Sequence, residues 1–270
     1  MKVLRYVALA LAAMLFLVPF YLVLRNGLAT EQELTAPTWT FWPSEIRWEN
    51  FTELFTNPAV PLVRSMVNSL VVAVLQTFGQ LFLCGLAGYG LARIPYRYSN
   101  VVLVLVVATL MIPAAVTFVP TFVVVSTLGW VSDLRGLVIP GLFSGFTTFL
   151  FRQYFLNFPR EIEEAARIDG LGHWGTYWRV VVPNSKGFFA ALGVIAFVTS
   201  WNQFLWPLVI AQDQDSWTVQ VALSTYLTSQ SIDVVQLFLA AAVSITPLVI
   251  VFVVLQRFLI RGVTESGVKG

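Results

Sequence analysis

Residues 161–183 read EIEEAARIDGLGHWGTYWRVVVP, a charged island between long apolar runs. It is almost the only place where charge density reaches that of a soluble protein. Of the 270 residues, 57% are hydrophobic and 11% charged, with mean hydropathy +0.78. A soluble domain carries about 25% charged residues, so lipid is the main solvent here. A bilayer-spanning helix needs about 20 apolar residues, and uncharged runs of that length recur. Lipid leaves no partner for open backbone groups, and the alternation of a membrane barrel is absent. The expected fold is therefore all-α, a polytopic membrane protein.

Six helices are expected, over residues 6–24, 62–91, 101–125, 136–155, 188–211 and 236–260, forming one transmembrane domain over 1–270. Lys2 and Arg5 before the first run resemble a signal-peptide n-region, but the run is too long and no small-residue cleavage site closes it. It reads as a retained helix. Residues 25–61 are polar, with Trp39, Phe41, Trp42 and Trp48 suited to a membrane interface. From Ser44, Trp48, Phe51 and Phe55 against Glu45, Glu49 and Glu53 predict a short amphipathic helix. It is either an interfacial rest or a docking surface for an external partner. In the second run Gly79, Gly85, Gly88 and Gly90 favour close helix approach. Pro113 and Pro120 predict kinks in the third.

Charge sets the orientation. Twelve of the sixteen lysines and arginines fall on the side of the termini and the 159–183 loop. The opposite side has Arg25, Arg47, Arg64 and Arg135. By the positive-inside bias the termini, the loop and the 261–270 tail are cytoplasmic. Cys84, the lone cysteine, can form no intrachain disulfide and reads as a buried small apolar residue.

The absences narrow the function. Apart from Arg64, Arg152 and Arg257, each within about a turn of a helix end, no Asp, Glu, Lys, Arg or His lies inside the expected helices, which weighs against an ion-driven carrier. There is no P-loop, no H-E-x-x-H, no G-x-S-x-G and no metal-ligand cluster. His173 has no second His or Cys nearby. The sequence supplies no catalytic set, no metal site and no cofactor site.

The island itself is a rigid peg. Pro159 near a helix start, Glu161, Glu163 and Glu164 in the first turn, and Gly170 beyond the last turn punctuate a short helix. Glu163 and Arg167 form an i,i+4 pair in the favourable order. Ala165 and Ala166 leave a face without bulk, Gly170 permits reversal after Asp169, and His173–Trp178 can lie across the membrane face. Pro183 is expected to break the pattern before the fifth helix.

The pattern Glu164-Ala165-Ala166-x₃-Gly170-x₉-Val180-x-Val182-Pro183 resembles the EAA loop of permease subunits of binding-protein-dependent ABC importers. Valines stand where that family has Ile and Leu. Arg64-Ser-Met-Val-Asn68-Ser69, Trp201-Asn202-Gln203-Phe-Leu-Trp206-Pro207 and the ending from Gln256 to Gly270 are similar to the carbohydrate, MalG-like branch. Glu265-Ser266 departs from the small residues usual there.

That resemblance implies a type I importer fold and four kinds of partner. These are a MalF-like second permease, a cytoplasmic ABC ATPase dimer, an extracytoplasmic solute-binding protein and the lipid bilayer. ATP and Mg would be used by the ATPase alone, and the compartment is the bacterial inner membrane. Coupling falls to Glu163, Glu164, Ala165, Ala166, Asp169, Gly170, His173 and Pro183, with Glu164 as the expected polar contact. The tail residues Arg261, Gly262, Thr264 and Lys269 are expected to touch the ATPase. For a sugar, uncharged hydrogen-bonding and aromatic groups are needed. Ser200, Trp201, Asn202, Gln203 and Trp206 are candidates, with Thr147, Thr148 and Ser244 behind them; each serves helix packing equally well. A permease for glycerol-phosphate-type or other polar solutes, and an ion-driven carrier, are the alternatives.

Overall fold

The structure is a computed structural model. It describes residues 2–228 and 231–266, with backbone alone at 228, 231, 232 and 258–266. The helices are α1 (Lys2–Gly27), α2 (Glu31–Thr35), α3 (Glu49–Thr56), α4 (Leu62–Arg93), α5 (Ser99–Met111), α6 (Ala114–Thr127), α7 (Leu134–Val138) and α8 (Gly145–Leu156). They continue with α9 (Arg160–Ile168), α10 (His173–Thr176), α11 (Val182–Asn184), α12 (Lys186–Trp201), α13 (Leu205–Ile210), α14 (Val219–Ser224) and α15 (Val234–Ser266). Two strands of two residues each, Leu227–Thr228 and Ser231–Ile232, pair before α15.

Among the described residues four stretches are long and apolar enough to cross a membrane: Lys2–Gly27, Leu62–Arg93, Leu134–Leu156 and Val234–Arg257. The count rises to six if each of two bent helix pairs makes one span.

Three helices expected as continuous are broken. The third bends by 100° between α5 and α6. Pro113 drives Ile112 out of the helical region, to φ −86° and ψ 117°. Pro120 stays within α6. The fourth is interrupted at Ile139–Gly141, a 3-10 turn, and restarts at α8 with Ser144 Oγ accepting from Thr147 N. The fifth ends at Trp201 and resumes at Leu205, because Pro207 cannot bond back to the carbonyl four residues earlier. By contrast, the backbone of the sixth runs on through 261–266, where a tail was expected.

The amphipathic helix expected in the 25–61 segment also differs. Its start is Glu49, not Ser44, and its buried residues are Asn50 and Leu54, while Trp48 and Phe55 are exposed. The reason is capping: Asn50 Nδ2 donates to the carbonyls of Gly27 at 3.0 Å and Ala29 at 3.2 Å, where α1 ends.

The breaks leave carbonyls without helical partners inside the span, and side chains of α4 and α13 supply the donors. Gln76 Nε2 donates to Leu137 O at 2.8 Å, and Gln80 Nε2 to Gly141 O at 2.8 Å. Trp206 Nε1 donates to Gly136 O at 3.0 Å. These uncharged polar residues keep the backbone satisfied where water is absent.

Packing centres on α4, which is flanked by α8 and α12. One cluster joins Leu54, Leu62, Ala73, Phe197, Trp201, Val219 and Leu239. At the other end of α4, Cys84, Tyr89, Phe151, Phe155, Tyr177 and Val181 form a second. Cys84 is fully buried. Gly88 marks the closest approach: a Cβ there would lie 2.5 Å from Phe151 Cβ and 2.9 Å from Arg152 N. By comparison α1 and α5 are bare, with no residue of α5 buried.

Outside the span, Arg25 Nη2 pairs with Glu33 Oε1, and Thr40 Oγ1 donates to the same oxygen at 2.6 Å. Hydrogen bonding from Thr40, then from the Ser44 backbone, and the Arg25 charge hold the Glu33 carboxyl below its ordinary 4.5 against the cost of burial.

Packing and charge each generate a prediction. Gly88→Val should lower thermal stability in detergent by more than the roughly 1–3 kcal/mol of ordinary overpacking, since backbone cannot yield; a melting temperature within a degree of wild type would refute the close approach. Because Glu33 is depressed, its contribution is present above pH 4.5 and lost as pH falls through the folded value. Proteolysis of the 28–48 loop should therefore accelerate in acid in the wild type, and already be fast at pH 7 in Glu33→Gln.

Candidate functional site

The charged island folds as a moored peg. Pro159 precedes α9, whose first turn holds Glu161 and Glu163 at the positive end of the helix dipole. Gly170 then takes φ +85°, and a Cβ added there would meet nothing within 4 Å. Space is free there, so only backbone strain of about 1–2 kcal/mol opposes a larger residue. The reversed chain continues into α10 and a π-helical turn at Tyr177–Val181. The bend of 80° falls after α11, at Ser185, not at Pro183. Proline is tolerated in a first turn, where its missing N–H has no partner to lose.

The pairing differs from the sequence expectation. Glu163 turns inward instead of toward Arg167. It is 3% exposed, and its Oε1 lies 2.8 Å from Arg93 Nε at the end of α4. Tyr89 Oη donates to Glu163 Oε2 at 3.3 Å, and Arg93 Nη2 donates to Phe158 O. Arg167 lies instead beside His173, Nη2 to Nδ1 3.5 Å. Ala166 is buried on the inner face of α9, whereas Glu164, Ala165 and Asp169 are exposed.

Beneath the second segment, buried Tyr177 packs on Tyr89, ring centroids 5.0 Å apart. A Cβ on Gly85 would come within 2.7 Å of the Tyr177 hydroxyl, so glycine there admits the ring. Between α9 and the end of α4 lies a groove of about 370 Å³, flanked by Arg160, Glu164 and Arg167. The peg thus offers a charged outer face and hangs on α4 by the buried Arg93–Glu163 pair, the Tyr89 hydroxyl and the Tyr177–Tyr89 ring contact.

The substrate-pathway candidates separate into two groups. Trp201 is 2% exposed, stacks on Phe197 and donates from Nε1 to Ser244 O at 3.2 Å. Thr148 Oγ1 donates to Ser144 O within its own helix, and Thr147 Oγ1 to Gln80 Oε1 at 3.4 Å. Ser200 and Ser244 are buried, Ser244 donating to Ala241 O. Trp201, Thr148 and Ser244 are thus buried and bonded within this chain. Asn202 is exposed, its Nδ2 donating to Val198 O and its Oδ1 accepting from Gln220 Nε2.

Gln203 and Trp206 line a pocket of about 190 Å³ with Gln76, Thr117, Phe118 and Thr121. Gln76, Thr117 and Thr121 were missed by sequence reading; a glutamine mid-helix facing two proline-broken spans was the available signal. For the tail, Arg261, Gly262 and Thr264 have described backbone in α15, while Lys269 lies outside the described residues.

Residues 84–265 match the family described as binding-protein-dependent transport system inner membrane component. The permease protein AraQ of the arabinooligosaccharides transport system of Bacillus subtilis (strain 168) is 31% identical, over 96% of this chain and 92% of its own. The permease protein UgpE of the sn-glycerol-3-phosphate transport system of Yersinia pestis bv. Antiqua (strain Antiqua) is 30% identical, over 97% and 95%. LacG, of the lactose transport system of Rhizobium radiobacter, is 29% identical over 98% and 95%. A chain of a solved bacterial ABC transporter involved in the import of the acidic polysaccharide alginate has the same fold. Its TM-score is 0.81 at 21% identity, covering 96% of each chain.

Removing one member of a buried pair strands the other charge, at about 3–5 kcal/mol. Arg93→Met and Glu163→Leu should each destabilise by roughly that amount. The double variant should recover most of the loss, as read by thermal unfolding in detergent. Additive losses would mean that the two side chains do not meet.

Proposed function

The chain belongs to the family of binding-protein-dependent transport system inner membrane components, and from that premise we propose how it works. It is one permease subunit of an ATP-driven importer that takes up a sugar or oligosaccharide handed over by an external binding protein. The carrying observation is the peg, an exposed charged helix fastened to the central span through Arg93 and Glu163. A cytoplasmic ABC ATPase dimer seats α9, with Glu164 and Asp169 on the outward face and Gly170 holding the reversal. Closure of that dimer on ATP and Mg moves the peg, and α4 carries the motion inward. This chain binds neither ATP nor metal and performs no chemistry.

The bare faces of α1, α5 and α6 suit lipid and a second, MalF-like permease. On the other side, a polar groove of about 730 Å³ includes Arg64, Asn68, Asp133 and Asp215 and suits the binding protein. In this reading both termini lie in the cytoplasm, as the positive-inside bias suggests. The likeness to a glycerol-3-phosphate permease keeps an anionic polyol as the second reading.

The test is ATP hydrolysis by the purified complex, in nanodiscs with its binding protein, against arabinotriose, lactose and sn-glycerol 3-phosphate. Stimulation at least severalfold by a neutral sugar is expected. Stimulation by glycerol phosphate alone would replace the sugar reading with the second one. Uptake that continues without hydrolysis and collapses with a proton or sodium ionophore would overturn the importer.

A further inference from the structure

We infer that this subunit itself holds a subsite for one neutral sugar ring, in the pocket where its broken helices meet. The inference rests on the sugar-import reading and goes beyond it, because it gives this chain a direct hold on the solute. Three interruptions converge there: Ile112–Pro113 between α5 and α6, Ile139–Gly141 before α8, and the gap between α12 and α13. Discontinuous helices near mid-membrane are where transporters build solute sites. Gln76 lies near the middle of α4, 14 residues after Leu62 and 17 before Arg93.

The polar groups suit hydroxyls. Gln76 is 1% exposed and its Oε1 has no hydrogen-bond partner, although its Nε2 is fixed on Leu137 O. A buried acceptor left open costs stability unless a ligand or water supplies a donor. Thr117 and Thr121 donate to their own helix, to Ala114 O and Thr117 O, which leaves their oxygens able to accept. The Gln203 side chain, with a donor and an acceptor, faces the same space.

An aromatic wall completes the match. Trp206 is held by its bond to Gly136 O and by the edge-on contact with Phe118, centroids 5.6 Å apart. Aromatic rings take the C–H face of a sugar, while hydroxyls point to the amides and threonines. No lining residue is charged, so a phosphate or carboxylate finds no counter-ion. The volume of about 190 Å³ falls below the roughly 300–1,000 Å³ that encloses drug-sized ligands, so one ring fits and an oligosaccharide is gripped by a single unit. Gly141 is required for this arrangement, since a Cβ there would lie 2.2 Å from Gln76 Nε2.

The test uses Thr121→Cys in a Cys84→Ser background, within the complete complex and its binding protein, trapped with ATP and vanadate. Labelling by a water-soluble maleimide is followed with arabinotriose, lactose or sn-glycerol 3-phosphate. The neutral sugar that stimulates ATP hydrolysis should slow labelling at least tenfold, and Gln203→Leu or Thr117→Val should remove that protection. In uptake assays the same two substitutions should raise the ATP consumed per sugar imported about tenfold.

Labelling unchanged within twofold by a stimulating sugar, or protection by glycerol phosphate alone, would overturn the subsite. So would a cysteine unreactive without sugar, because the partner subunit would then fill the space. If no neutral sugar stimulates hydrolysis, the sugar-import reading fails and the subsite with it, an outcome separate from stimulation without protection.

Discussion

In a bilayer every backbone carbonyl must find a donor within the protein, and this constraint organises the whole chain. Where α7 gives way to the Ile139–Gly141 turn, the freed carbonyls of Leu137 and Gly141 reach across to Gln76 and Gln80. Trp206 does the same for Gly136. The broken spans are therefore possible only because α4 is unbroken beside them and carries amides at the right heights. Small residues let the partners come close enough: Gly88 against Phe151, Gly141 against Gln76, and Gly85 against Tyr177.

Much of this was legible from residue order, and the illegible part has a physical cause. Apolar runs announced the helices, and the acids and glycine of 161–170 announced the peg, because both signals are local. Ile112–Pro113 was readable as a kink, but not as a 100° bend, since a proline sets local geometry and packing sets the angle. The break near Asn202 was hidden. Pro207 acts four residues back, on a carbonyl that the apolar pattern does not mark.

The site shows the same division. Glu163 looked like the partner of Arg167 because i,i+4 spacing is the only pairing a sequence displays. Its actual partner, Arg93, is 70 residues earlier, and only the packing of α4 over the peg brings them to 2.8 Å. Tyr89 and Arg93 share one face of α4 at i,i+4, a pattern that becomes meaningful once a buried carboxylate faces it. Trp201 and Trp206 illustrate the converse: both are tryptophans near one break, yet one closes the core and the other borders a pocket. Residue type gave them equal claims, and burial separates them.

The same helix carries both ends of the proposed mechanism. Gln76 stands at the pocket and Arg93 at the peg, 17 residues apart on α4, which is about 25 Å at 1.5 Å per residue. A straight, continuous helix transmits displacement over that length, whereas the bent α5–α6 and α12–α13 pairs absorb it at their joints. In the proposed mechanism, movement imposed on the peg would reach Gln76 along α4. An exposed ion pair worth under about 1 kcal/mol would let the peg slide, but separating Arg93 from Glu163 strands two buried charges, so the peg and α4 move as one body.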